Sequence, residues 1–175
     1  MARVEVELDP VSQITIDAIG KPGQRVFYLQ AHQDFNQVTI LIEKIQVQSL
    51  AMGIEQFLQE IRERYPELPN PSSEYDETQM HIEAPVDPIF RAGEISLAFD
   101  VDRDQAGLIV NEILADGMEA DDARLARFWM TRSQLLAMIT WGLEVVAHGR
   151  PICPQCGEPM DPEGHFCPKK NGHKH

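Results

Sequence analysis

Basic residues are scarce in this chain. Lysine and arginine number 15 against 28 aspartates and glutamates, a formal net charge of −13. Affinity for nucleic acid comes mostly from cationic side chains neutralising phosphates, so the body of the protein is not expected to bind DNA or RNA. Long apolar runs are missing too: no stretch reaches the roughly eighteen residues that a membrane-crossing helix needs. The start, MARVEVELDP, alternates charge with valine and does not resemble a signal segment. A cytoplasmic protein is the expectation. Cysteine occurs three times, an odd and clustered set that does not suit a secreted disulfide framework. Also absent are a phosphate-binding glycine loop, a nucleophile elbow, an HExxH helix and a kinase signature. No catalytic residue can therefore be named from a motif.

The charge that is present is unevenly placed. Glu74 to Asp122 holds fourteen acidic residues and two basic ones, Arg91 and Arg103. This acidic segment reads as a solvated face that keeps the protein soluble. Within it, Asp100-Val-Asp102-Arg-Asp104 imitates a calcium loop, but Gln105 stands where the loop needs glycine and Asn111 where it needs a bidentate glutamate. A solvated hairpin turn is the better reading. The other histidines of the body, His32, His81 and His148, are scattered singly; His148 suits a helix C-terminus, and His32 and His81 read as surface or loop residues. Trp129 and Trp141 read as core.

Residue patterning predicts an α+β fold. VEVEL (4–8), ITIDA (14–18), RVFYLQA (25–31) and QVTILIE (37–43) are rich in β-branched and aromatic residues and read as strands. Lys21-Pro22-Gly23 sits between the second and third, with proline and glycine where a type II turn wants them. From Gln46 to Arg64, Leu50, Ile54, Phe57, Leu58 and Ile61 recur at helical spacing, and Pro66 stops the helix. Residues 65–88 carry five prolines and read as a linker or surface loop. Strands resume with Ile95-Leu97-Phe99-Val101, AGLIVNEI (106–113) and RLARFWM (124–130). Thr131 to Gln134 then forms a capping box for a helix that runs to about His148, before Gly149 and Pro151.

The two stretches look alike. Gln48-Ser-Leu-Ala-Met52 and Gln134-Leu-Leu-Ala-Met138 each open a helix after a strand, 86 positions apart, and the order strand-strand-strand-helix recurs. Two pseudo-repeated β-β-β-α units are expected, with antiparallel sheets and a helix each. The first spans about 1–65, the linker about 66–90 and the second about 91–149, so that residues 1–149 form a duplicated body and 150–175 a tail.

The tail holds all three cysteines. Cys153-Pro-Gln-Cys156-Gly has the spacing of a zinc knuckle, in which two thiolates converge on one cation and glycine allows the tight turn. Asp161-Pro-Glu-Gly164 suits a type I turn that returns Cys167 toward the knuckle. Lys170 stands where a zinc ribbon would place its fourth cysteine, and its ammonium cannot bind a metal. His173 is the favoured fourth ligand, with His165 as the alternative and His175 a weaker third. Four protein ligands make a closed, structural zinc site. No general base is evident beside it.

Taken together, these residues resemble a bacterial protein family of unknown function whose members share a duplicated body and end in a tail like CPQCGEPMDPEGHFCPKKNGH. The likeness covers essentially the whole chain and is most specific from Cys153 to Gly172. It implies cytoplasmic members and an accessory role beside phosphatase-like and kinase-like proteins, but no activity. The expectation is thus a non-enzymatic adaptor or protein-interaction module with a protein partner. The rival is a small enzyme or small-molecule-binding protein with a pocket between the two units, and nucleic-acid binding through the tail comes third.

Overall fold

A computed structural model describes residues 3–21 and 23–148, which hold seven strands, two helices and two short 3-10 turns. The strands are β1 (Arg3–Leu8), β2 (Gln13–Ile19), β3 (Val26–Gln33), β4 (Asn36–Ile42), β5 (Ala92–Asp100), β6 (Gln105–Glu112) and β7 (Arg124–Met130); the helices are α1 (Lys44–Arg64) and α2 (Arg132–Ala147). The fold is mixed α+β with two sheets. β2, β3 and β4 form one antiparallel meander followed by α1, and β5, β6 and β7 form a second followed by α2.

The first strand departs from the expected order. β1 leaves its neighbours in sequence and pairs parallel with β7, so the second sheet has four strands in the order β1-β7-β6-β5. Val11 seals the crossing by donating its N–H to the Trp129 carbonyl at 2.8 Å. The β2–β3 hairpin is closed as the sequence suggests: the Gln24 N–H reaches the Lys21 carbonyl at 2.9 Å, and Gly23 has φ +83°, which glycine adopts without a Cβ clash.

Two-residue alternation gives each strand an inner face. In the three-stranded sheet, Ile14, Ala31 and Val38 lie side by side, as do Ile16, Leu29 and Ile40, all of them buried. On α1, Val47, Leu50, Ile54, Leu58 and Ile61 form the buried stripe; on α2, Leu135, Met138, Ile139 and Val145 do. All of these except Ile61 join Leu8, Leu108, Val110, Phe128 and Met130 of the other sheet in one continuous hydrophobic cluster. At 25 cal/mol per Å² of apolar area, a core shared in this way is the main force holding the halves together.

α1 and α2 pack against each other, α1 also against the edge strand β5 and α2 against the edge strand β2. They run antiparallel. Gly142, near the end of α2, is so close to Ile16 and to Val47 of α1 that an added Cβ would stand 3.3 Å and 3.5 Å from their side chains. At the other end Arg132 donates to the Pro69 carbonyl at 2.9 Å, just beyond the end of α1. Both helix starts carry a glutamine in the third position. The Thr131 hydroxyl accepts the Gln134 N–H at 3.0 Å while Gln134 Oε1 accepts the Thr131 N–H at 2.9 Å, and Gln46 Oε1 accepts the Glu43 N–H at 2.8 Å. His148 caps α2 and holds the Glu144 carbonyl at 2.9 Å through Nδ1 and its own N–H.

Residues 65–91 are more than a linker. They form a strap laid over the outer face of the three-stranded sheet, where Met80 and Phe90 are buried. Leu41 makes a parallel bridge with Arg91, and Ile89 N–H donates to the Thr39 carbonyl at 2.9 Å, so the strap ends by covering the β4 edge.

Candidate functional site

Cys153, Cys156, Cys167, His173, His165 and His175 lie outside the described residues. Among the described residues no group of three or more His, Cys, Asp or Glu side chains is placed to hold a metal.

The polar face beneath the strap is the first candidate. Thr15, Gln30 and Thr39 form a cross-strand row, and all three are buried, as is Asp17. A buried polar group costs free energy unless it is hydrogen-bonded, and the strap supplies the partners. Thr15 Oγ1 donates to the Met80 carbonyl at 2.7 Å; Gln30 takes the Glu83 N–H at 2.8 Å and gives Nε2 to the Glu83 carbonyl and to Thr39 Oγ1, each at 3.0 Å. The Asp17 carboxylate accepts the Ile82 N–H at 3.0 Å and lies 3.4 Å from His81 Nδ1. His81 is edge-on to Trp141 with ring centres 5.4 Å apart, and Tyr75 flanks the same indole at 5.7 Å. Trp141 Nε1 is buried and has no hydrogen-bond partner among the described residues. At another point of the face, His32 Nε2 is 3.3 Å from a Glu83 carboxylate oxygen. The two histidines thus serve as clamps at separate places and do not converge. Asp17 and Gln30 were hidden in the sequence because polar alternation in a strand looks the same whether water or a strap covers it.

The acidic segment is partly paired. Asp104, in the left-handed region at φ +49°, receives Arg132 Nε at 2.7 Å and Nη2 at 3.0 Å, with Arg132 buried. Asp100 closes the β5–β6 hairpin by accepting the Asp102 N–H at 3.1 Å, and Arg103 holds its carboxyl below the usual range. Arg103 also reaches Asp9 at 2.9 Å and stacks 5.4 Å from the Trp129 ring, and bonding to both carboxylates raises its pKa. Glu112 is held low mainly by side-chain hydrogen bonds from Arg124, at 2.8 Å to Nη2. These pairs stitch strands and turns together, so the segment is structural as well as solvated. Trp129 is not in the core: it lies across Gly107 on the outer face, where an added Cβ would meet the ring at 2.9 Å.

The surface of the described residues has several hollows. One of ≈ 250 Å³ lies between α1 and β5, lined by Ile45, Ser49, Leu50, Gly53, Ile95 and Leu97 among others. Another, ≈ 190 Å³, runs from Ser12 and Gln13 to Tyr75 and Ser133, a third of ≈ 380 Å³ follows the α1–α2 seam, and one of ≈ 480 Å³ lies beside Ile113 and Leu114. None of these four holds a histidine. The space between the two meanders is filled by the shared core. Ile45 and Met52 stand in water at 66% and 74% exposure, and Phe35, at the tip of the β3–β4 turn, is fully exposed. No helix among the described residues is long and apolar enough to cross a membrane.

Comparison with known proteins gives one match. The model of a family described as proteins of unknown function, DUF3090, covers residues 6–167. No curated protein and no solved structure matches.

Proposed function

The chain belongs to that family of unknown function, and from this premise we propose that it is a non-enzymatic protein-interaction module whose tail closes on a structural zinc ion. The observation that carries the interaction reading is the pairing of a filled core with an open apolar groove. Where an enzyme would need a cleft with converging acid and base groups, the two meanders meet in one continuous cluster. Where a partner would need accessible apolar surface, the α1–β5 groove has the exposed Ile45 in its wall beside Leu50, Ile95 and Leu97.

The body is read as a duplication. Strand-strand-strand-helix recurs, and the capping glutamines Gln46 and Gln134 recur with it, 88 positions apart (134 − 46). That spacing also matches buried Val47 with buried Leu135, whereas the spacing of 86 suggested by the similar pentapeptides sets exposed Met52 against buried Met138. Zinc is assigned to Cys153, Cys156, Cys167 and His173, with His165 as the alternative, on the chemistry of the donors: three thiolates and one imidazole form a closed tetrahedral set. Reduced thiolates suit a cytoplasmic setting.

The competing reading, a small enzyme, would rest on Asp17 and His81, the contact between a buried carboxylate and a half-exposed imidazole. That pair lines none of the four hollows, and it braces the strap. The experiment is affinity capture from native extract with the full chain and with Cys153→Ser. A stable protein partner retained by the parent and lost or weakened in the variant is the expected result. No partner, together with turnover of a small-molecule panel, would sink the proposal.

A further inference from the structure

The hollow beside the start of β5 has an apolar wall open to solvent. Ile113 and Leu114, consecutive in the chain, are 47% and 53% exposed, and Ala120 and Ala123 line the same ≈ 480 Å³ space. Its backbone is well tied. Ile113 donates its N–H to the Arg91 carbonyl at 2.9 Å, and β5 passes so close that a Cβ on Gly93 would stand 2.9 Å from the Ile113 Cα. Beyond Leu114 the chain turns at Gly117, φ +84°, where the Met118 N–H meets the Ala115 carbonyl at 3.0 Å, and a 3-10 turn at Ala120–Asp122 leads it into β7. The two exposed side chains thus belong to a formed turn. Gly93 also lines the α1–β5 groove, so the two hollows adjoin.

Charge says what could cover them. From Asp104 to Ala123 the chain has no lysine or arginine. Glu94 lines the hollow, and Asp116, Glu119 and Asp122 stand on the loop that walls it; all four are exposed, and none is paired with a described cation. The arginines flanking the region in the chain are committed, Arg91 to Glu43 and Arg124 to Glu112. An apolar contact bordered by one sign of charge favours a surface that brings the other sign. A second copy of this chain brings −13 and nucleic acid brings phosphates, so both are repelled.

We propose that a basic protein segment docks here. Its apolar side chains cover Ile113 and Leu114 and run on past Gly93 into the α1–β5 groove, while its lysines or arginines face Glu94, Asp116, Glu119 and Asp122. This rests on the interaction reading and deepens it by giving the partner a charge and a second point of contact. Elsewhere in the acidic segment Asp100, Asp104 and Glu112 are matched within the fold by Arg103, Arg132 and Arg124. The four acids at the hollow are left for a partner. Opposite charge across such a contact speeds encounter and excludes wrong partners, and the buried apolar residues hold the complex.

A benzophenone amino acid replaces Leu114 in the full-length protein and, in a second sample, Ile45; both are irradiated in native extract and the joined peptides are identified by mass. The expected result is one protein joined from both positions, through a segment of net positive charge at position 114. The yield from position 114 should fall several-fold between about 0.1 M and about 1 M salt, where the screening length drops from about 10 Å to about 3 Å. Asp116→Lys with Glu119→Lys should cut it at least as much at an unchanged midpoint of thermal unfolding; if those changes unfold the protein, Asp116→Asn with Glu119→Gln carries the same test. Met52, exposed on α1 but lining neither hollow, should join that protein far less when it carries the probe. An acidic or uncharged segment, a join only to a second copy or within one chain, or a yield indifferent to salt and to the charge changes would overturn the proposal. A partner joined from position 45 alone defeats the basic surface and leaves the interaction reading standing; no protein joined from either position defeats both.

Discussion

Gln46 and Gln134 hold matching positions in the two helices, and each ties its helix to the opposite meander. Beyond capping its own helix, Gln46 donates Nε2 to the carbonyls of Ala92 and Gly93 at the start of β5, both at 3.0 Å. Gln134 donates to Val11 and Ser12, just before β2, at 3.3 Å and 3.5 Å. Each side chain therefore joins helix initiation to the docking of the two units. Gln46→Leu and Gln134→Leu should each cost about 1–2 kcal/mol, the usual loss for a cap with its added hydrogen bonds. Chemical denaturation of the two variants checks this, and a loss at one site only would argue against equivalent roles.

Among the described residues Arg132 is a buried cation, and Asp104 is its partner. Removing one member of a pair leaves the other without its hydrogen bonds, so Arg132→Met should destabilise by about 2 kcal/mol or more. Asp104→Asn, which keeps the side chain's tolerance of positive φ but loses the charge, should cost less. A double-mutant cycle read by thermal unfolding would show coupling; strict additivity would mean that the pair is incidental.

Gln30 anchors the strap. With Leu in its place, the Glu83 N–H and carbonyl lose their partner under a covered surface, at a cost of about 2–3 kcal/mol. Limited proteolysis should then cut within residues 72–90 faster than in the parent. Equal cutting rates would show that the strap is held by other contacts.

The strands and helices were legible in the sequence to within about three residues, because β-branched alternation, the Thr131–Gln134 box and the Pro66 stop are local signals. What was not legible depends on distance. The parallel pairing of Arg3–Leu8 with β7 is decided by which sheet the inner faces of Val6 and Leu8 complete, and nothing local specifies it. The proline-rich segment read as a linker because its contacts with Thr15, Asp17 and Gln30 are made mainly by its backbone, which composition does not reveal. For the same reason the Asp17–His81 contact escaped notice, since its members are 64 positions apart (81 − 17).

Acid should weaken the fold at a definable place. Glu112 is held below the usual carboxylate range by Arg124, so its contribution is present above its unfolded value of about 4 and is lost as pH falls through the lower folded value. Glu112→Gln should therefore be less stable than the parent at neutral pH, with the gap closing as pH falls toward 3, about a unit below that unfolded value. Urea unfolding across that range checks the sign. A gap that stays constant would mean that the ion pair carries no net stability.

Metal content tests the account most directly. Elemental analysis of the purified full-length protein should find about one zinc per chain, as a closed Cys₃His site requires. Cys153→Ser should lose it, and His173→Ala should weaken its retention against a chelator more than His165→Ala does. A natively purified protein without metal, or one whose zinc survives Cys153→Ser unchanged, would contradict the assignment.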